Sequence, residues 1–341
     1  MNSVTQERHT LEIEDDFSID QREDWDRLRR RILVLNERAW SGTLQWTTVC
    51  QWLNNFNGDS GLDTATERLH ALYLLSQMMY FGSREIRVLL HALYMNFFLI
   101  PIIQHARQLH NNSRDPDIIR RQTFTCLEKT RFLGVGNPSE SGVHLLYYFR
   151  QENGLSKNQF LDSANIFSRS TIDGTTKTTL RFGDVERYIF LDDLCGSGET
   201  AEIYSEDLLP RILSVNQSIE LHYYAIFATS SGLKRVRDKS LFRDRCGSVF
   251  ELDESYKCLS SQSRYLTVLP HTIDSDCLKK LNSHYGSLVC PGHANGFENG
   301  QLLLAFNHNT PDNTLPIIWR DQDNGSPIPW VSAMKRYPKF S

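Results

Sequence analysis

Residues 188–200 read YIFLDDLCGSGET. Four apolar residues run into two adjacent aspartates, and the chain then turns rich in glycine and serine. An apolar run bounded by turn residues predicts a buried strand. The segment that follows, TAEIYSEDLLPRILSVN at 200–216, places Ile203, Leu208, Ile212 and Val215 at helical spacing. A second β-rich run, ELHYYAIFAT, comes at 220–229. Strand, tight loop, helix, strand is a βαβ unit, and such units imply a parallel sheet with helices on its faces. The fold class set by this stretch is α/β.

The chemistry of the stretch depends on where it would lie. Ligands of open parallel sheets collect beyond the carboxyl ends of the strands, where Asp192 and Asp193 fall. Two neighbouring carboxylates repel, and burying both without a hydroxyl or cation partner is costly. Ribose hydroxyls or a hydrated Mg²⁺ would satisfy them. Gly196 and Gly198 permit close backbone approach, Ser197 and Thr200 add hydroxyls, and a helix N-terminus follows, which suits a phosphate monoester. The plainer reading is a helix capped by Ser197 or Thr200, with Glu199 near the positive end of its dipole. The aspartate pair and the helix pattern favour the ligand site.

The stretch resembles the phosphoribosyl pyrophosphate (PRPP) motif of type I phosphoribosyltransferases: apolar strand, two acids, small-residue loop ending in threonine. The resemblance implies that Asp192 and Asp193 are the catalytic acids that take the ribose hydroxyls. Gly196, Ser197, Gly198, Glu199 and Thr200 would wrap the 5′-phosphate. The chain departs from the motif at Phe190, Cys195 and Gly196. A wider similarity rests on WLNNF (52–56), GVGNPSESG (134–142), YYFR (147–150), the FLDD…GSG segment and LLLAFNHNTPDNTLPIIW (302–319). Together they are similar to phosphoribosyltransferase-like proteins of bacterial conflict and anti-phage defence loci, including retron accessory proteins. That resemblance implies a mainly parallel sheet flanked by helices, preceded by a helical N-terminal region. It also implies PRPP or a nucleotide as ligand, Mg²⁺ carried by that ligand and by water, and a protein partner from a defence operon, such as a reverse transcriptase with its nucleic acid.

By the same resemblance, Gly136, Asn137, Ser139, Ser141 and Gly142 would form a pyrophosphate loop; an exposed turn with Ser139 or Ser141 capping the next helix is the equal alternative. Arg150 would reach a phosphate or face solvent. Residues 165–187, rich in Thr, Ser and Gly, would form a lid hairpin with Arg169, Lys177 and Arg181 toward the phosphates, or a plain surface hairpin. The basic run at 230–245, with Lys234 and Arg235, is a solvated face or a nucleotide or nucleic-acid contact. His308, crowded by polar residues, is expected in a structural polar loop packed near the site, with a catalytic histidine as the alternative.

Composition limits the rest. The 341 residues carry a formal net charge of −4, which argues against wholesale nucleic-acid or membrane binding. Seven cysteines form no C-x-x-C pair, which points to a reducing compartment and a cytoplasmic protein. The N-terminus lacks the apolar core of a signal peptide. The apolar stretch at 88–103 carries His91, Asn96 and Pro101, is shorter than a bilayer span, and is expected as a buried core helix that Pro101 constrains. Expected boundaries are a disordered lead-in at 1–18, a helical region at 19–115 and an α/β domain at 116–341. In the helical region Trp25, Leu28, Ile32 and Leu35 form one stripe, and Leu69, Leu72, Tyr73 and Met79 another. Residues 248–252, 264–270 and 301–306 are weaker strand candidates.

The functional expectation is an effector that binds a phosphoribosyl nucleotide or PRPP and acts at ribose C1. A catalytically degenerate nucleotide-sensing or structural subunit is the alternative, and a nucleic-acid-binding module is the weaker one.

Overall fold

The computed structural model describes residues 17–136, 141–173, 175–322 and 328–337, with backbone only at 141–144, 172 and 175. In chain order the first elements are α1 (Ile19–Arg38), α2 (Trp46–Leu53), α3 (Thr64–Ser76), β1 (Met79–Phe81), α4 (Ser83–Leu109), α5 (Pro116–Glu128) and β2 (Thr130–Gly134). Next come α6 (Ser141–Glu152), β3 (Phe167–Ile172), β4 (Thr175–Leu180), β5 (Arg187–Cys195), α7 (Glu199–Glu206), α8 (Leu208–Val215) and β6 (Glu220–Thr229). The last are α9 (Ser230–Lys239), β7 (Cys246–Leu252), α10 (Ser275–Val289), β8 (Leu304–Phe306) and α11 (Pro316–Trp319).

The chain forms two compact units, one from Met1–Ser83 with Asp253–Ser341 and one from Arg84–Leu252. This division cuts across the expected boundary at residue 115, because the C-terminal segment packs with the N-terminal helices. Trp25, Trp52, Leu72 and Leu75 share one core with Leu281, Tyr285, Leu303 and Ile317. The Trp52 indole N–H donates to the Ile317 carbonyl at 2.7 Å, tying the two segments of that unit. A two-stranded parallel sheet, β1 with β8, joins them again through Met79 opposite Leu304. Met79, expected on a helix, is therefore in a strand: α3 ends at Ser76 and leaves it three residues beyond. Residues 264–270, expected as a strand, contain a 3₁₀ turn at Arg264–Leu266 started by a Ser263 cap. The lead-in lies outside the described residues up to 16. Its last two residues are structured: Phe17 is buried against Trp25, and Ser18 forms a capping box with Gln21 at the start of α1.

The second unit carries a four-stranded sheet in the order β2-β5-β6-β7, with parallel pairing throughout. Its register, Phe190 opposite Leu133 and Tyr223, puts Leu133, Tyr188, Phe190 and Tyr223 into a core closed by Leu209 and Ile212 of α8 and Val236 of α9. On the other face, Phe132 packs against Phe98 of α4 and Phe149 of α6 at centroid distances of 5.4 and 5.1 Å. This is an α/β architecture with a mainly parallel sheet between helices.

Two helices differ from expectation. The single helix expected over 200–216 is broken at Asp207 (φ −122°, ψ −63°) into α7 and α8, because Pro210 has no N–H with which to continue α7. The helix through the apolar stretch does not stop at Pro101. A π-helical turn at Met95–Leu99, with the Ile100 N–H reaching the Met95 carbonyl, widens the backbone before the proline, and α4 runs on to Leu109. By length and composition α4 could cross a membrane, and only 28% of its most apolar window is buried. Rather than a buried core helix it is one-sided, with Ile86, Leu90, Leu93 and Phe98 inward and Val88 and Leu109 exposed.

Candidate functional site

β5 lies between β2 and β6 and carries Asp192 and Asp193 shortly before its end at Cys195. Asp192 shares the face of Tyr223, whose hydroxyl donates to its Oδ2 at 2.8 Å, while its Oδ1 accepts the Asp193 N–H at 2.9 Å. Asp193 Oδ1 accepts the Leu194 N–H at 2.8 Å. Burial, and then the neighbouring Asp193 charge, push the Asp192 carboxyl well above the ordinary carboxylate range. The two acids remain a pair: Asp192 is desolvated and bound by Tyr223, and the Asp193 carboxyl beside it disfavours its charge further.

The loop after β5 is held from below. Gly198 has φ +77° and forms the N-cap of α7, with no side chain of its own to cap the helix. The Ser197 hydroxyl accepts the Glu199 N–H at 3.3 Å, inside the turn. A Cβ at Gly198 would stand 2.6 Å from the Gly232 carbonyl oxygen, and a Cβ at Gly232 would stand 2.5 Å from the Gly196 oxygen. The backbones of the loop and of α9 thus meet where only glycine fits. The Thr229 hydroxyl locks this junction: it donates to the Gly196 oxygen at 2.5 Å and accepts the Gly232 N–H at 2.9 Å. Gly232 and Thr229 are site-shaping residues that the sequence reading did not single out. Their signal was the S-S-G turn directly after a strand, which mirrors the G-S-G after β5.

Gly136, at φ +94°, is brought to the same place. Its N–H donates to the Tyr204 hydroxyl of α7 at 2.9 Å, tying the turn after β2 to the helix after the loop. Asn137 and Ser139 lie outside the described residues; Ser141 and Gly142 form the first turn of α6, with no side chain described there. Arg150 sits nine residues further along α6, about 13 Å from that turn at 1.5 Å per residue. There it lies over the Tyr147 ring at 5.8 Å.

The expected hairpin is present as β3 and β4, with Arg169 opposite Thr178 and Ser170 opposite Lys177. Ile166 and Leu180 are buried at its base, while Arg169, Lys177 and Arg181 are exposed. Arg181 donates to Asn165 Oδ1 at 3.0 Å and so braces the base. The basic run forms α9 as far as Lys239. Its charges are largely matched: Lys234 pairs with Asp238, and Arg235 Nε donates to Glu202 Oε2 at 2.5 Å, with Lys239 4.0 Å from the same carboxylate. Arg235 therefore pins α9 to α7 instead of standing as a free basic patch. Burial pushes the Cys195 thiol up to about 12, which keeps it protonated and unreactive. The polar loop around His308 belongs to the first unit, where the imidazole stacks on Phe306 at 5.4 Å and Thr310 and Thr314 are buried.

Among the described residues no group of three His, Cys, Asp or Glu side chains gathers as a metal cage.

A family model described as PRTase-CE matches residues 49–336. No curated protein matches the chain. Among solved structures it is similar to the xanthine-guanine-hypoxanthine phosphoribosyltransferase of Helicobacter pylori, at 9% identity over 51% of this chain and 87% of that one, with a TM-score of 0.25. It is likewise similar to a purine phosphoribosyltransferase from Pyrococcus horikoshii, at 14% identity over 52% and 93%, with a TM-score of 0.24.

Proposed function

Because the chain belongs to the PRTase-CE family, we propose that its second unit binds PRPP or a 5-phosphoribosyl nucleotide at the carboxyl end of β5 and acts at ribose C1. The observation that carries this reading is the glycine N-cap of α7, a left-handed Gly198 without a side chain next to two strand-borne carboxylates. Its first-turn N–H groups and the positive end of the helix dipole suit a phosphate. The ribose hydroxyls would meet the Asp192–Asp193 pair, with Tyr223 holding Asp192 in place. Breaking or making a bond at C1 develops positive charge on the sugar ring. The protein's part is to position the reactants, stabilise that charge and exclude water, the last through the β3–β4 hairpin. Mg²⁺, when bound with the ligand, would neutralise phosphate charge.

In this reading the protein is a cytoplasmic effector of a bacterial anti-phage defence system that works with a partner from the same operon, its acceptor a base, a nucleotide, nucleic acid or water. One observation favours the alternative of a nucleotide sensor without turnover: Asp192 is already engaged by Tyr223 and desolvated. Calorimetry with PRPP and Mg²⁺ tests the site. The wild-type chain is expected to bind, and Asp192→Ala/Asp193→Ala to bind at least ten-fold more weakly with unchanged circular dichroism. Equal binding by the double variant would sink the proposal. Release of pyrophosphate on adding a base separates enzyme from sensor.

A further inference from the structure

On the sheet face covered by α4, the second unit has a cleft of about 330 Å³. Its floor is Arg187 and Ile189 of β5 with His222 and Tyr224 of β6, toward the amino ends of these strands. The loop at 196–200 leaves the opposite end of β5, and Tyr223, which holds Asp192, points to the opposite face. The cleft is thus separate from the phosphoribosyl site, and a ligand bound there would be independent of that reading.

The aromatic wall is built in advance. Phe97 stacks on Tyr224 at 4.8 Å with 28° between the rings. Behind it is Gly247 of β7, where a Cβ would come within 2.6 Å of Phe97 Cε1, so the ring lies directly on the strand's backbone. The π turn at Met95–Leu99 supplies Asn96, Phe97 and Phe98 to the lining. One extra residue in a turn rotates the flanking helix by about 100° relative to a regular α-helix. Wide turns of this kind recur at functional sites.

The polar floor is internally neutralised. Arg187 donates from Nε to Glu220 Oε2 at 2.8 Å and from Nη2 to the same oxygen, and its Nη1 meets Cys126 Sγ at 2.8 Å. His222 Nε2 lies 3.4 Å from Glu220 Oε2, and its Nδ1 is 2.8 Å from the Tyr224 hydroxyl. Burial lowers the His222 pKa and keeps the imidazole neutral. An anion would have to displace Glu220 from Arg187, and a cation would meet Arg187 itself. What the cleft offers is aromatic and aliphatic wall, with hydrogen-bonding edges at Tyr224, Gln122 and Asn96. Its size is at the small end of ligand sites.

We propose that this cleft binds an uncharged planar heteroaromatic ring, stacked beside Phe97 with its polar edge toward Tyr224 and Gln122. Calorimetry on the full chain with adenine and nicotinamide as neutral probes, and benzoate as the charged control, tests it. At least one neutral probe is expected to bind one-to-one, with benzoate ten-fold weaker or more. His105→Trp, at an exposed rim position, adds bulk over the opening and should weaken binding at least ten-fold without altering thermal unfolding. Gln122→Ala should weaken it several-fold, while Asp192→Asn/Asp193→Asn should bind as the wild type does. No binding by either neutral probe, tighter binding of benzoate, or indifference to both cleft variants would overturn the proposal. Loss of binding in the aspartate variant would overturn it too, by placing the probe at the loop.

Discussion

At the scale of single residues, the two aspartates carry the largest difference between the chain as written and the chain as folded. Asp192 is desolvated beside a neighbour of like charge and is held by a Tyr223 hydroxyl 2.8 Å away. Its raised pKa has a definite sign in stability. As pH rises above the ordinary carboxylate range, the unfolded chain releases a proton that folded Asp192 keeps, so stability falls. Asp192→Asn removes that penalty. The variant should have a higher urea midpoint than the wild type at pH 7–8, and the gap should close toward pH 4. A gap independent of pH would refute the assignment. The same residue scale explains what was legible of the loop. Gly196 and Gly198 announce a tight turn, but the reason for glycine at 198 is the Gly232 carbonyl beneath it, contributed by a helix that begins 32 residues later.

At the scale of elements, strong periodicity and strong punctuation were readable. The β5–helix–β6 unit is parallel, as its apolar runs imply. The β3–β4 hairpin is antiparallel and enters its turn through Asp173 at φ +50°, a conformation that aspartate tolerates better than most residues. Elements governed by exceptions were not readable. Pro210 splits a helix because nothing relieves it, whereas Pro101 is carried through because a π turn precedes it. The difference lies in packing: Tyr94 and Phe98 are held at 5.2 Å in the aromatic cluster with Phe132, across the widened turn. Phe97, on the same turn, fixes β7 in a complementary way. Gly247→Ala would force a Cβ into its ring, and such overpacking costs about 1–3 kcal/mol. Denaturant unfolding followed by circular dichroism should register that loss; an unchanged midpoint would show that Phe97 moves freely.

At the scale of the whole molecule, the second unit is inserted between two segments that build the first. All six tryptophans, Trp25, Trp40, Trp46, Trp52, Trp319 and Trp330, belong to the first unit, so their emission reports on it. A chain ending at Leu252 would strip Leu281, Tyr285, Leu303 and Ile317 from the core around Trp52. Its tryptophan emission should shift to the red and lose a cooperative transition, a result that a sequential helical domain at 19–115 would not give. By itself the sequence determined the fold class, the βαβ unit, the hairpin and the loop at 196–200, because these rest on local periodicity and on glycine's freedom of φ. Tertiary structure alone decided which terminus joins which core, which side chain holds Asp192, and where α4 leaves a cleft. Those outcomes depend on contacts between residues tens to hundreds of positions apart, such as Trp52 with Ile317, and no local pattern encodes them.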